Sequence, residues 1–543
     1  MTELKGIGVS PGFAGGPAYR VAPPPTLPVL DPVALDPETE AKRAVAALAS
    51  VAAELNRRAA AAHGAAAEIL RAEAMMAEDP ELADAAEETA RTGLSAARAI
   101  DTALAVHREA FEAAGGYLAE RVADLDDIRN RAVAICLGQP MPGIPSPGHP
   151  FVLVARDLAP ADTASLDPDR VLALVTEDGG PTSHTAILAR TLGLPAVVRC
   201  TGALEVADGE LVTVDGATGT VVTGAGAAEV EAAGAAEVAR RQRLSAASGP
   251  GRTADGHPVA LYANIGSAKD LMGDVEGVGL FRTELLYLDR TDAPTFEEQV
   301  AAYTDVFAAL PGRKVVVRTL DAGADKPVPF LQQEAEPNPA LGVRGLRISW
   351  KRPDVLSSQL EAIAEAARAT AAEVWVMAPM VATAAEAAAF AAAARAAGLP
   401  TPGAMVEIPA AALRAGALLA EVDFLSIGTN DLSQYTFAAD RQVGAVAELL
   451  DPWQPALLQL IAACASAGTA AGKPVGVCGE AAADPGLAVV LTGLGITSLS
   501  MAARSIPAVR EALATRTLAD CRAAARAVLA APDAAAARAA VLG

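Results

Sequence analysis

The chain has 543 residues, a formal net charge of −22 and five cysteines. At roughly 150 residues per domain, that length makes three or four units, each able to bury a core. The acidic balance repels nucleic acid and anionic membrane and leaves a basic protein as the expected macromolecular partner. Hydrophobic content is 52%, much of it alanine, and no run of about 18 strongly apolar, uncharged residues occurs, so no spanning helix is expected. The opening MTELKGIGVS lacks the basic head and apolar segment of a secretory signal, which points to the cytoplasm. Cys136, Cys200, Cys464, Cys478 and Cys521 are odd in number, scattered and free of CxxC spacing, which argues against both a disulfide framework and a zinc site.

In chain order, GIGVSPGFAGGPAYRVA at 5–21 reads as short strands broken by glycine and proline turns. From Asp36 to Gly138 the chain turns to long amphipathic helix rich in Ala, Glu and Arg, with breaks near Gly64, Asp79-Pro80 and Gly115-Gly116. That pattern predicts an antiparallel helical subdomain. Strands return with FVLVA at 151–155, VLALVT at 171–176, AVVRC at 196–200, LVTVD at 211–215 and TVVTG at 220–224. With the N-terminal strands they make a small α/β unit, into which the helical region is inserted. The segment 226–248 predicts a charged linker helix, and SGPGRTADG at 248–256 a flexible joint.

Beyond the joint stand eight short apolar runs: VALYANI at 259, GVGLF at 277, VVVRTL at 315, VWVMAPM at 374, GAMVEI at 403, FLSIGT at 424, PVGVCGE at 474 and SLSM at 498. Eight β/α units predict a TIM (β/α)8 barrel, with a doubly wound open sheet as the alternative.

Within the α/β unit, TEDGGPTSHTAILARTLGLPAVV at 176–198 presents His184 from a glycine turn at the head of an amphipathic helix. Gly179 and Gly180 permit close backbone approach, and Thr182 or Ser183 can cap the helix. Free N–H groups and the helix dipole then favour an anion at that end. A histidine merely packed at a helix start is the plainer alternative.

In a TIM barrel the polar residues just after each strand gather on one face. Here they are Arg282, Arg318, Asp321, Glu407, Asn430, Asp431, Cys478 and Glu480, with Arg344 and Arg441 in adjoining loops. Guanidinium groups beside carboxylates suit a small, multiply anionic ligand held through a metal ion. Glu407 and Asp431 end successive strands, and two carboxylates with open positions are how Mg²⁺ is held beside a phosphate. Structural ion pairs are the alternative for the carboxylates, and a solvated surface for Arg344 and Arg441. Cys478, between Gly476 and Gly479, is placed to give or take a proton, where a lone cysteine is otherwise a small buried hydrophobe.

Taken together, GIGVSPG, MMAEDPEL at 75–82, ERVADLDDI at 120–128, GGPTSHTAILAR, GLFRTELLYLDR at 279–290, RTLDAGADK at 318–326, NPALGVRGLRI at 338–348, MVEIPAA, SIGTNDLSQYTFAADR at 426–441 and VCGEAAADP span nearly the whole chain. In that order they resemble enzyme I of the bacterial phosphotransferase system, the phosphoenolpyruvate-protein phosphotransferases.

The resemblance implies a swivelling α/β phosphohistidine domain (1–35 and 139–225) with an inserted helical subdomain (36–138). A linker helix and joint (226–255) and a C-terminal TIM barrel (256–543) follow. It implies transfer of the phosphoryl group of phosphoenolpyruvate to His184, with release of pyruvate, and then to a histidine of the carrier protein HPr, for sugar uptake. Glu407 and Asp431 become ligands of Mg²⁺, and Arg282, Arg318, Arg344, Asn430 and Arg441 bind phosphate and carboxylate. Cys478 becomes the acid that protonates the methylene carbon, and Thr163 the residue that holds the histidine ring. Met75 and Asp79 belong to the HPr-docking surface, and a homodimer through the barrel is implied. Two departures stand out: Pro181 occupies a position where many members carry Arg, and Glu73 one where some carry His. Pyruvate phosphate dikinase or phosphoenolpyruvate synthase, which share the histidine domain and the barrel, are the rival enzymes. A regulatory paralogue without turnover is the non-enzymatic alternative.

Overall fold

The structure, a computed structural model, describes the whole chain except residues 23, 30–35, 62–64, 115–121, 140–141, 146, 159–165, 168, 181–182, 288–289, 291, 324–327, 332–335, 441–443 and 543. Thr163, Pro181, Thr182, Arg441 and the expected helix breaks at Gly64 and Gly115-Gly116 therefore lie outside the described residues. For His184 the backbone alone is described. The chain divides into two compact units, Met1–Ala239 and Arg240–Gly543.

The first unit opens with β1 (Thr2–Lys5), β2 (Ile7–Ser10) and β3 (Phe13–Arg20). Among the described residues, the helices α1 (Pro37–Ala61), α2 (Ala65–Ala77), α3 (Pro80–Arg91), α4 (Ala96–Ala114) and α5 (Val122–Leu137) follow. The chain then returns through β4 (Phe151–Ala155), β5 (Val171–Thr176), α6 (His184–Leu192), β6 (Ala196–Val198), β7 (Leu211–Asp215) and β8 (Thr220–Thr223). The strands form one sheet in the order β1-β8-β7-β3-β4-β5-β6-β2, parallel from β3 to β6 and antiparallel elsewhere. Both faces of its centre are covered. Phe151, Leu153 and Ala155 of β4 pack on one side with Ala186 and Ala189 of α6, while Val152 and Val154 pack on the other with Val212, Val214 and Val221. A strand buried on both faces needs an unbroken apolar run, which is why FVLVA does not alternate.

The helices lie in sequence between β3 and β4, which are neighbours in the sheet. Ala44, Leu48, Val51, Leu55, Leu70, Ile100, Leu104, Ile128 and Val133 form their core. Buried alanines among these allow close helix approach with little side-chain entropy lost. Asp79 caps α3, accepting from the Glu81 amide at 2.9 Å, with Pro80 in the first turn. Glu40 of α1 accepts from the Ala96 amide at the head of α4 at 2.7 Å and pairs with Arg43, which donates to the Cys136 carbonyl of α5.

The second unit contains eight parallel strands, β9 (Ala260–Ile265), β10 (Gly277–Arg282), β11 (Lys314–Arg318), β12 (Glu373–Ala378), β13 (Pro402–Val406), β14 (Phe424–Ile427), β15 (Val475–Val477) and β16 (Ser498–Met501). They close on themselves because β16 pairs with β9. Closure excludes the doubly wound alternative and makes this a TIM barrel. Alternate residues face in and out. Leu280, Val316, Met377, Met405 and Phe424 meet inside, while Val315, Val317, Val376, Ala404 and Val406 join the core beneath the outer helices. At the start of the strands the interior is plugged by the Trp375 and Phe424 rings, 4.8 Å apart, with Lys314 Nζ 3.5 Å from the Trp375 ring centre. Gly403 is required there, since a Cβ would fall 2.3 Å from the Phe424 ring.

The expected linker helix is Ala227–Ala246, and the division between the units falls inside it. The segment expected as a flexible joint is different. Gly249 and Gly251 donate their amides to Asp274 and Glu276 at 3.0 and 2.8 Å, Ala254 donates to the Arg516 carbonyl at 2.8 Å, and Arg252 bridges to Pro258. Glycine marks close approach here, not freedom: a Cβ on Gly251 would lie 2.2 Å from the Val259 carbonyl. All five cysteines are free thiols. Among the described residues, no helix is long and apolar enough to cross a membrane.

Candidate functional site

The period of two that fills the barrel also builds the site at the C-terminal ends of its strands. Two residues beyond inward Leu280 stands Arg282, two beyond Val316 stands Arg318, and two beyond Met405 stands Glu407. Cys478 follows Gly476 by the same step, and Gly476 faces the Ser498 hydroxyl so closely that a Cβ would sit 2.4 Å from it. Asp431 and Asn430 come from the first turn of the helix Thr429–Phe437 that follows β14.

These side chains form a buried ion network. Arg318 donates through Nη2 to Glu284 Oε1 at 2.8 Å, and its Nη1 lies 3.2 Å from Asp321 Oδ2 and 4.0 Å from Glu407 Oε1. Arg344, only 1% exposed, holds Asp321 through Nε and Nη2, each at 3.2 Å, and Asp431 through Nη1 at 3.0 Å. It is therefore a central strut of the site, not a solvated loop residue. Burial works against both guanidinium charges, but the surrounding carboxylates outweigh it and raise both above the ordinary arginine value. Arg282 is exposed.

Glu407 is 1% exposed, and Oε2 accepts from the Met380 amide at 2.8 Å. Met380 reaches this position with φ of 57°, a left-handed backbone that is costly for a residue with a Cβ. The other oxygen, Oε1, is buried without a hydrogen-bond partner among the described residues. Burial and the charges of Asp431 and Asp321 push the Glu407 carboxyl up to about 8, against the pull of Arg318. A buried carboxylate oxygen lacking a donor, beside a second carboxylate, fits a divalent cation. Among the described residues no group of three or more His, Cys, Asp or Glu side chains is placed to hold a metal. Glu407 and Asp431 are two carboxylates beside each other, a number that leaves positions of a divalent ion open to ligand phosphate and water.

Cys478 is 2% exposed, and its thiol donates to the Ile427 carbonyl at 3.4 Å. Burial pushes the thiol up to about 11. It is accordingly a protonated group at neutral pH, suited to giving a proton rather than to attack. Asn264 holds the neighbouring backbone, donating to the Cys478 and Ser500 carbonyls at 3.0 and 3.2 Å. Asn430 accepts from the Glu480 amide at 3.2 Å, which joins the loops after β14 and β15.

Glu284, Gln359 and Tyr435, also outside the sequence-derived set, help to hold it in place. Gln359 accepts from the Leu320 amide at 2.9 Å and donates to Thr283 Oγ1 and Tyr303 Oη, each at 3.1 Å. Tyr435 accepts from Arg344 Nη1 at 3.5 Å and donates to the Ala340 carbonyl. Glu284 stands two residues after Arg282, the one local signal that marks it.

In the first unit, His184 begins α6, which is capped by Ser183 Oγ accepting from the Ala186 amide at 3.3 Å and ends at Gly193 with φ of 68°. Thr185, fully buried, donates to Asp157 Oδ1 at 2.8 Å, and Asp157 Oδ1 also accepts from the Leu158 amide at 2.9 Å. These bonds fix the head of the histidine helix to the end of β4. Met75 on α2 is 71% exposed, and Asp79 is exposed at the start of α3.

Three family models cover the chain: the N-terminal domain of phosphoenolpyruvate-utilising enzymes over 5–121, their mobile domain over 147–219 and their phosphoenolpyruvate-binding domain over 240–518. A phosphoenolpyruvate-protein phosphotransferase of Streptomyces coelicolor is 57% identical, with 99% of this chain and 98% of that protein aligned. One from Geobacillus stearothermophilus is 39% identical over 93% of this chain and 91% of its own length. The NMR solution structure of Enzyme I (nEIt) is 33% identical, covers 44% of this chain and 99% of that one, and has a TM-score of 0.38. With three successive domain models and near-complete alignment to such relatives, the chain belongs to the phosphoenolpyruvate-protein phosphotransferase family, enzyme I.

Proposed function

We propose that the chain moves the phosphoryl group of phosphoenolpyruvate to His184 and then to a histidine of HPr. The observation that carries the reading is the buried Oε1 of Glu407, which lacks a hydrogen-bond donor among the described residues and lies 4.0 Å from the Arg318 guanidinium at the mouth of a closed barrel. Arg282, Arg318, Arg344, Asn430 and Arg441 bind phosphate and carboxylate, and Glu407 and Asp431 hold Mg²⁺. Held by these carboxylates, a divalent ion would supply charge neutralisation to the phosphate and the developing enolate.

His184 Nε2 attacks phosphorus, aligned by Thr163, and forms the N–P bond as the bond from phosphorus to the enol oxygen breaks. The arginines stabilise the charge released on the enolate. Cys478 gives its proton to the methylene carbon, which completes pyruvate, and the thiolate regains a proton from water. A phosphohistidine that serves two partners has to travel, so the reading includes a swing of the unit that carries it. Met75 and Asp79 mark the acidic face that meets a basic carrier. The protein acts in the cytoplasm as a homodimer, upstream of sugar uptake.

Intact-mass measurement after adding phosphoenolpyruvate and Mg²⁺ tests the reading. A single acid-labile phosphoryl adduct is expected in the wild type and none in His184→Ala. An adduct surviving in His184→Ala sinks the assignment. Labelling by ATP would favour the dikinase-like reading, and binding without turnover the regulatory one.

A further inference from the structure

We infer that Glu284 is a positioning residue that holds the Arg318 guanidinium off Glu407, keeping that carboxylate open to a divalent cation. The inference rests on the metal-ligand reading of Glu407 and adds a device that protects it. Glu284 Oε1 accepts from Arg318 Nη2 at 2.8 Å and from the Asp321 amide at 3.1 Å, and the side chain is mostly buried. Its own position is secured from below. Thr283 Oγ1 donates to the Arg318 carbonyl at 2.9 Å and accepts from Gln359 at 3.1 Å, which ties the turn after β10 to the end of β11.

The site places an unsatisfied donor near an unsatisfied acceptor. Among the described residues Arg318 Nε and Glu407 Oε1 have no hydrogen-bond partner, and Arg318 Nη1 stands 4.0 Å from Glu407 Oε1. Burial makes each missing hydrogen bond costly, so the two are driven from a 4.0 Å ion pair toward a closer, hydrogen-bonded one. Glu284 opposes that collapse by drawing the other end of the guanidinium toward β10. Without it, Nη2 also loses its acceptor, and Glu407 Oε1, already 4.0 Å from Nη1, offers another. A collapsed pair would occupy the oxygen the cation needs. Glu284 thereby sets metal affinity without touching the metal.

The test is titration of the full-length, substrate-free protein with Mn²⁺, reading the loss of the free-ion electron paramagnetic resonance signal. Glu407→Gln first checks the underlying reading: Mn²⁺ affinity unaffected by that change refutes the ligand assignment, and the proposal falls with it. If the assignment holds, Glu284→Ala is expected to weaken Mn²⁺ binding about tenfold, and Glu284→Gln, which keeps an acceptor for Arg318 and the Asp321 amide, to restore most of it. In an Arg318→Met background, Glu284→Ala should change affinity less than twofold, because the guanidinium it restrains is gone. An equal loss in both backgrounds overturns the proposal and assigns the effect to the lost charge alone. Unchanged Mn²⁺ affinity in Glu284→Ala overturns it as well.

Discussion

Replacing Arg344 by Met should move metal and substrate affinity in opposite directions. The side chain is 1% exposed and is held by Asp321 at two nitrogens and by Asp431 at a third. Removing one partner from a buried pair costs about 3–5 kcal/mol, because the remaining charge is stranded. Here Asp431 is stranded beside Glu407 while Asp321 keeps Arg318, so the barrel should lose about 3 kcal/mol at pH 8. Trp350, Trp375 and Trp453 all lie in 240–543, so tryptophan emission during urea unfolding reports that unit alone. Loss of a cation between carboxylates should strengthen Mn²⁺ binding. Loss of a charge-assisted hydrogen bond worth about 1.5–3 kcal/mol should weaken phosphoenolpyruvate binding roughly 10- to 100-fold. Wild-type stability at pH 8, or Mn²⁺ and substrate affinities that fall together, would refute this account of Arg344.

Two further outcomes follow from buried groups. Cys478→Ala should bind phosphoenolpyruvate with near-normal affinity yet release pyruvate at least tenfold more slowly, because a thiol held up to about 11 by burial no longer supplies the proton. Unchanged turnover in a pyruvate-coupled assay would remove it from the mechanism. Glu73 on α2 is pushed up to about 9 by burial, then by its hydrogen bond with Asp127 and the charges of Asp127 and Asp124, with Arg131 opposing. Folding raises this carboxyl above its ordinary 4.5, so its contribution to stability is present below that value and is lost as the pH rises toward about 9. Hydrogen exchange of the α2 amides, corrected for intrinsic rates, should show protection falling from pH 6 to 8.5 in the wild type. Glu73→Gln should flatten that trend, and the same slope in both proteins would clear Glu73 as its source.

The strands were legible because their signal is local. Phe151–Ala155, Val171–Thr176 and Ser498–Met501 coincide with apolar runs bounded by turn residues, and burial on both faces enforces such runs. The same alternation carried Arg282, Arg318, Glu407 and Cys478 to the barrel mouth, so the candidate site was readable once eight β/α units were recognised. Resemblance supplied what spacing does not, namely the substrate class and the roles proposed for Thr163, Met75, Asp79 and the carrier.

What local pattern left open depends on partners distant in the chain. Nothing around Arg344 distinguishes a solvated guanidinium from one clamped by Asp321 and Asp431, because those acceptors come from other loops. The segment at 248–256 has the composition of a hinge, yet Asp274, Glu276 and Arg516 supply acceptors that bind it to the barrel. Glu284 shows the same limit: its neighbours in sequence reveal its location, and only closure of β10 against β11 brings Arg318 within its reach. Periodicity along a strand reports which face a side chain takes, since that is a property of the backbone. The cost of burying a charge is settled by what stands opposite, and folding alone chooses those neighbours.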